Sequence, residues 1–357
     1  MDRSSLLFLI LFLNSVLVVA QSTFPNKEWK YNLQAQKDGW NQNDARKLYK
    51  YVADSTKVTS MLVVHKGEIV FQYGDVSQQN YIASCRKSVL SMLYGKYVDN
   101  KTINLSKTLK ELNIDDVGGV LPIEGKASIQ DLISSRSGIY RPASNPGTWV
   151  KYIKKRGTVM PGTRWLYNNW DFNVAGHLFE ELSKKNIYDE ITDQFAKPLQ
   201  FQDWDREKQQ KVGNSQRSKY LAYAMWFSTR DLARLGLLML NNGQWKGKQV
   251  ISKSWMSEML KERTTPQEMQ ESAPVMKRTF DLGYGYMWWL WKNIKDSKFK
   301  DAYSALGAYG QNITILPAID VVIVFNTKVE YGRANNTKIT QELPKKIMEK
   351  YSLNTKD

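Results

Sequence analysis

Two stretches of alternating and β-branched apolar residues stand out, one toward each end of the chain. Residues 60–74, Ser-Met-Leu-Val-Val-His-Lys-Gly-Glu-Ile-Val-Phe-Gln-Tyr-Gly, predict two short strands around a Lys66-Gly67 turn. Asn312–Leu316 and residues 321–325 are apolar runs separated by Pro317-Ala-Ile-Asp320, which predicts a second hairpin. Between them the periodicity becomes helical. Residues 171–184 place Phe172, Ala175, Leu178, Phe179 and Leu182 on one side. Residues 229–241 repeat the pattern, with Asp231 near the start and Gly243 just past the end. A last helix is predicted over residues 338–351. Strands at both ends with helices between them predict an α/β (α+β) fold: one antiparallel sheet built from both termini, flanked by helices, with a mainly helical region inserted. The predicted organisation is a single bilobed domain over residues 21–357, with a sheet lobe (21–83 and 280–357) and a helical lobe (84–279).

The first twenty residues belong to neither lobe. Residues 6–20 are apolar, follow Met1-Asp2-Arg3 and end in Val18-Val19-Ala20, as in a secretory signal peptide cleaved after Ala20. The run is short for a membrane span, and no other segment approaches one. The expectation is therefore a periplasmic or secreted protein with no stable membrane insertion after cleavage. Cys85 is the sole cysteine, so no internal disulfide is available. The net charge is +16, from 51 Lys and Arg against 35 Asp and Glu. The lysines are dispersed and no nucleic-acid-binding pattern accompanies them, so the charge reads as a solvated basic surface without a nucleic-acid partner.

Chemistry concentrates at Ser84-Cys85-Arg86-Lys87, where the extended Tyr81-Ile82-Ala83 gives way to a helix-like run. A Ser and a Lys three apart at a helix start share one face, which brings the lysine nitrogen to the hydroxyl. Serine needs a neighbouring base to act as a nucleophile at neutral pH. A free lysine keeps its proton to about pH 10.4, so a basic Lys87 requires burial or a positive neighbour. Ser-x-x-Lys is the first motif of penicillin-binding proteins and serine β-lactamases. A Tyr-x-Asn loop, Tyr167-Asn168-Asn169, follows Pro161-Gly162-Thr163, and Gly307-Ala308-Tyr309-Gly310-Gln311 leads into the predicted strand at Asn312.

In this order the three segments resemble the class C β-lactamase-related serine hydrolases, a penicillin-binding-protein-like family that includes β-lactamases, D,D-peptidases, esterases and 6-aminohexanoate-oligomer hydrolases. Residues 128–138, ending in Ser135-Arg-Ser-Gly138, resemble the family's helix followed by Ser-x-Ser-Gly. Pro161-Gly-Thr163 through Asn169, Phe227-Ser-Thr-Arg-Asp-Leu-Ala233 and Leu282-Gly-Tyr-Gly-Tyr286 match further family segments, and Pro198-Leu199 matches another with Gln200 replacing a glycine. The Trp288-Trp289 pair leans toward the aminohexanoate-hydrolase and esterase branch.

The resemblance implies a β-lactamase/transpeptidase-like fold and an exported hydrolase that forms an acyl-enzyme on Ser84. Lys87 and Tyr167 would act as the base, singly or as a coupled pair, with a nearby ammonium favouring the Tyr167 phenolate. Asn169 would position Lys87 or a substrate carbonyl. Gly310 would let the strand edge approach substrate, and the Gln311 backbone N–H would pair with that of Ser84 in an oxyanion hole. No metal or cofactor is implied. The substrate would be a small-molecule or peptide ester or amide. One departure matters: the third motif often carries Lys or His ahead of its glycine, where this chain has Ala308 and Tyr309. A substrate carboxylate would lose a charge-assisted partner worth about 1.5–3 kcal/mol, which disfavours β-lactam chemistry unless Arg86, Arg141 or Arg164 replaces it. A β-lactamase, a D,D-peptidase and a catalytically weak binding protein remain the alternatives.

Overall fold

The computed structural model describes residues 23–147, 150–274, 281–331 and 336–350. The predicted signal peptide lies outside these residues. Both predicted hairpins form, and they pair with each other. Strands β1 (Ser60–His65) and β2 (Glu68–Gly74) turn at Lys66-Gly67. Five strands follow late in the chain: β3 (Asp281–Tyr284), β4 (Trp289–Lys292), β5 (Tyr303–Leu306), β6 (Asn312–Leu316) and β7 (Val321–Asn326). All seven form one antiparallel sheet in the order β2-β1-β7-β6-β5-β4-β3. The two termini meet at β1 and β7, in register from Ser60 opposite Asn326 to His65 opposite Val321. Every residue of these two central strands is buried, which explains runs that are almost continuously apolar rather than alternating. Strands β3 to β5 were not delimited by the hydrophobic pattern, because each is only four residues long and rich in aromatic residues.

Most of the helices lie between the two halves of the sheet in sequence, with one before the first strand and one after the last. Helix α1 (Gln42–Ser55), absent from the sequence reading, precedes the sheet. Helix α2 (Cys85–Asp99) starts at the Ser-x-x-Lys motif. Helix α3 (Asn169–Ser183) and helix α4 (Thr229–Leu240) match the two apolar periodicities. Helix α5 (Asn336–Lys350) ends the described chain, with Lys346 Nζ donating to the Tyr51 hydroxyl of α1 at 3.0 Å. Among the described residues no helix is long and apolar enough to cross a membrane.

Helix α2 is buried on nearly every side, including Ser88 and Ser91. A helix enclosed all round shows no amphipathic stripe, so its sequence carries no 3.6-residue hydrophobic signal. Its hydroxyls are used as ties: Ser88 Oγ donates to the Met287 carbonyl at 2.6 Å and Ser91 Oγ to that of Tyr286 at 2.7 Å. The Tyr94 hydroxyl donates to the Ala175 carbonyl of α3 at 2.7 Å. These bonds lock α2 to the β3–β4 turn and to α3.

Helix α4 covers the centre of the sheet, and Gly236 sets how closely it can approach. A Cβ there would stand 2.5 Å from Val322 Cγ1 and 3.2 Å from Ile313 Cγ2. Gly236→Ala gains about 1 kcal/mol of helix propensity but overpacks a core interface at about 1–3 kcal/mol. The expected outcome is a net loss of stability in chemical denaturation, partly recovered in the Gly236→Ala/Val322→Ala double variant. An alanine variant as stable as wild type would show that the helix is free to back away.

Candidate active site

Ser84 is presented by a short, constrained approach. Asn80–Tyr81 pairs with Trp226–Phe227, and Ile82 N donates to the Met225 carbonyl at 3.0 Å. Ala83 then adopts φ +48°, a left-handed conformation that costs an L-residue about 1–2 kcal/mol. This kink turns the chain from strand to helix within one residue. It leaves Ser84 part-exposed at the N-terminus of α2, while Cys85, Arg86 and Lys87 are buried. The N-terminal end of a 15-residue helix carries partial positive charge, which favours an oxyanion near Ser84.

Lys87 is only 1 % exposed, and its nitrogen faces three oxygens. Nζ lies 3.1 Å from Ser84 Oγ, 2.5 Å from the Tyr167 hydroxyl and 2.6 Å from Asn169 Oδ1. Asn169 is itself fixed, its Nδ2 donating to the Pro146 carbonyl at 2.6 Å. The arrangement suits both protonation states. An ammonium has three donors for three acceptors. A free amine donates to Asn169 Oδ1, which can only accept, and offers its lone pair to a hydroxyl hydrogen. Burial, reinforced by the charge of Arg86, pushes the Lys87 ammonium well below the ordinary lysine range.

Tyr167 stands in an aromatic frame. Its ring stacks on Trp289 at 5.6 Å and contacts Phe172 at 4.9 Å, while Tyr284 packs edge-on to both Tyr167 and Trp289. Tyr284 and Trp289 are therefore a buried support for Tyr167. Burial raises the Tyr167 phenol above its usual range, outweighing the hydrogen bond with Ser84 and the charge of Arg86 that pull the other way. Desolvation works against the charged form of each partner, lowering the lysine and raising the phenol. The same burial pushes the Cys85 thiol up, keeping it uncharged.

The third segment is the turn that joins β5 to β6, and it offers two glycines, Gly307 and Gly310. The sheet strand packed along α2 is β5, and β6 lies one strand further in. Gly307, at the end of β5, meets the nucleophile's approach: a Cβ there would lie 3.0 Å from the Ile82 carbonyl oxygen and 2.5 Å from Gln311 Oε1. Gly310 takes φ +92° in the same turn. The Gln311 side chain points inward, its Oε1 accepting from Tyr309 N at 3.1 Å and its Nε2 donating to the Thr327 carbonyl at 3.1 Å. Gln311 therefore braces the turn through its side chain as well as contributing backbone. The residue two before the glycine is alanine in either register, Ala305 or Ala308, so the missing cation does not depend on the alignment.

The three arginines weighed as substitutes are engaged elsewhere. Arg86 is buried and donates to Asn173 Oδ1 at 2.9 Å. Arg164 donates to the Tyr140 hydroxyl at 3.1 Å and the Ser272 carbonyl at 2.7 Å. Arg141 donates to the Val117 carbonyl. His65 lies beside Asp38 at 3.9 Å and His177 packs on Tyr220, so neither histidine joins the Ser84 cluster.

A β-lactamase family model matches residues 50–343. The chain belongs to the β-lactamase family. It is therefore a member of a serine hydrolase family, as its motifs led one to expect. The chain is similar to a 6-aminohexanoate-dimer hydrolase of Paenarthrobacter ureafaciens, 31% identical over 101 residues, which are 27% of this chain and 23% of that protein. The match thus spans under a quarter of that relative's length. Solved structures agree on the fold. A provisionally assigned 6-aminohexanoate-dimer hydrolase from Bacillus anthracis gives a TM-score of 0.62 at 19% identity, covering 84% of this chain and 80% of that one. A provisionally assigned β-lactamase from Bacteroides dorei gives 0.65 at 18%, covering 87% and 98%. The octameric penicillin-binding protein homologue from Pyrococcus abyssi gives 0.63 at 17%, covering 86% and 78%.

Sequence reasoning missed the supports: Trp289 behind Tyr167, the Asn145-Pro146 loop behind Asn169, and Asp171. Asn168 and Asp171 cap the start of α3, where Asp171 Oδ1 accepts from Ser137 Oγ at 2.7 Å and from Asn168 Nδ2 at 3.2 Å. Burial raises the Asp171 carboxyl well above its usual range, against the pull of these bonds. The folded protein then holds a proton that the unfolded chain loses near pH 3.9. This group's contribution to stability is full below that pH and falls as pH rises toward the folded value. Asp171→Asn removes the dependence. Thermal melts should give similar stability near pH 4 and a more stable variant at about pH 7. A variant less stable at pH 7 by the same margin as at pH 4 would contradict a protonated Asp171.

Proposed function

We propose that this protein is an exported serine hydrolase that cleaves an ester or amide bond through an acyl-enzyme on Ser84. The single observation that carries the proposal is the buried Lys87 nitrogen within hydrogen-bond distance of Ser84 Oγ, Tyr167 and Asn169. In this reading Ser84 Oγ attacks the carbonyl carbon as its proton passes to the Lys87 amine. The oxyanion is met by the Ser84 N–H at the positive end of α2 and by a backbone N–H of the 307–311 turn, assigned to Gln311 from the sequence. Lys87, now an ammonium, returns the proton to the leaving group through the Tyr167 hydroxyl, and the carbon–leaving-group bond breaks. Water then attacks the acyl-enzyme, gives its proton to the same pair, and releases the acid and free Ser84. Asn169 keeps the Lys87 nitrogen oriented throughout.

Ester and amide hydrolysis need the nucleophile, the base and the oxyanion donors. Recognition of a β-lactam carboxylate also needs a cation, and Ala305 and Ala308 supply none. This favours neutral esters or amides over β-lactams, and a relative named as a 6-aminohexanoate-dimer hydrolase is in keeping with amide cleavage. The apolar run at residues 6–20 supports export.

A fluorophosphonate probe read by intact-mass spectrometry tests the proposal. One adduct is expected on the wild type and none on Ser84→Ala, with labelling of Lys87→Met slowed by about 100-fold or more, the usual scale of a lost general base. Turnover of p-nitrophenyl acetate should exceed that of nitrocefin. A folded wild type that takes no adduct would leave a binding member of the family in place of a hydrolase.

A further inference from the structure

The residue between Cys85 and Lys87 has no part in the chemistry above, yet it is among the largest fully buried side chains of the protein. Arg86 is 1 % exposed. Its guanidinium lies over the Tyr223 ring, 4.1 Å from the centroid, and Nη2 donates to Asn173 Oδ1 at 2.9 Å. Nη1 has no hydrogen-bond partner among the described residues, and no carboxylate there forms an ion pair with Arg86. An arginine keeps its charge at any working pH, so a whole positive charge sits beside the motif without a counter-ion. The fold makes room for it: a Cβ on Gly176 would stand 2.4 Å from the Tyr223 ring, so only glycine lets that ring reach the guanidinium.

Two asparagines of α3, one helical turn apart, answer the two basic residues. Asn169 accepts from Lys87, and Asn173 accepts from Arg86. Asn173 Nδ2 donates to Asn145 Oδ1 at 2.9 Å and to Ser144 Oγ at 3.2 Å. The next residue of that loop, Pro146, holds Asn169 through its carbonyl. The chain of contacts therefore closes on itself, from Arg86 through Asn173 and the 144–146 loop to Asn169 and Lys87.

We propose that Arg86 is a positioning residue of the Ser84 site, a buried charge without a counter-ion next to Lys87 that, through Asn173, anchors the loop that orients Asn169. The proposal rests on the reading of Ser84 as nucleophile. The groups facing Lys87 leave Arg86 as the source of charge. Burial pushes Cys85 on α2, Tyr167 before α3, Tyr223 under Arg86 and Tyr284 beside Tyr167 up, and it also pushes Asp171 on α3 up. Like charge next to an ammonium disfavours it, as burial also does.

The test is the pH dependence of fluorophosphonate labelling at Ser84 in wild type, Arg86→Gln and Asn173→Asp. The second substitution is isosteric, keeps an acceptor for Arg86 and supplies the absent counter-ion. In both variants the acid limb of the labelling rate should move to higher pH by about one unit, the scale of a single near charge. The rate should recover toward wild type at alkaline pH, where Lys87 is an amine regardless. A limb that does not move in the folded variants, or a rate reduced equally at every pH, overturns the proposal and assigns Arg86 a packing role alone. Absence of any Ser84 adduct on wild type overturns the hydrolase reading and this one together.

Discussion

Lys87 is enclosed by three neutral oxygens from two separate segments, and the protonation of its nitrogen governs what the site can do. A lysine surrounded by a serine, a tyrosine and an asparagine can exist as an amine. The same lysine beside a carboxylate would hold its proton and could not accept one from Ser84. The surroundings are consistent with that requirement: burial pushes the Asp171 carboxyl of α3 upward, and the adjacent Arg86 adds positive charge rather than cancelling it. Burial therefore has opposite consequences for the two titratable partners, lowering the lysine and raising the tyrosine, and both consequences favour the uncharged pair.

Keeping this arrangement rigid draws on most of the fold. The sheet brings β5 and its Gly307 against the approach to Ser84. The β3–β4 turn accepts two serine hydroxyls from α2, so the nucleophile's helix cannot slide along the sheet. Trp289, on β4, stacks against Tyr167 and fixes the phenol from behind. Ala83 supplies the kink, and its local cost is carried by the surrounding contacts. The site thus belongs to neither half of the chain alone. The serine and lysine come from α2, the tyrosine and asparagine from the start of α3, and the turn opposite them from the C-terminal half of the sheet.

In the proposed reading this member of the β-lactamase family keeps the parts needed for bond cleavage and lacks a cation for substrate charge. The distinction is physical. Acyl transfer depends on groups within about 3 Å of the reacting atoms, whereas a carboxylate-binding cation acts on a remote part of the substrate. None of Ala305, Leu306 and Ala308 carries a cation, and Arg86, Arg141 and Arg164 are bound to protein acceptors.

How much of this was legible without coordinates differs from element to element. The two outer hairpins, α3 and α4 were readable because each buries one pattern of side chains against a common core, and burial writes its period into the sequence. Ser84, Lys87, Tyr167 and Asn169 were readable as motifs, since a helix start fixes the geometry of residues three apart. Helix α2 itself, enclosed on all sides, has no period to read, and strands of four residues are too short to show one. The order of strands, with β5 packed along α2 and β6 next to it in the sheet, was decided only by sheet pairing. The protonation of Lys87 and Tyr167 and the pairing of Arg86 with Asn173 also needed the tertiary structure. They depend on exclusion of water and on distances between segments far apart in the chain, and neither quantity is written in local sequence.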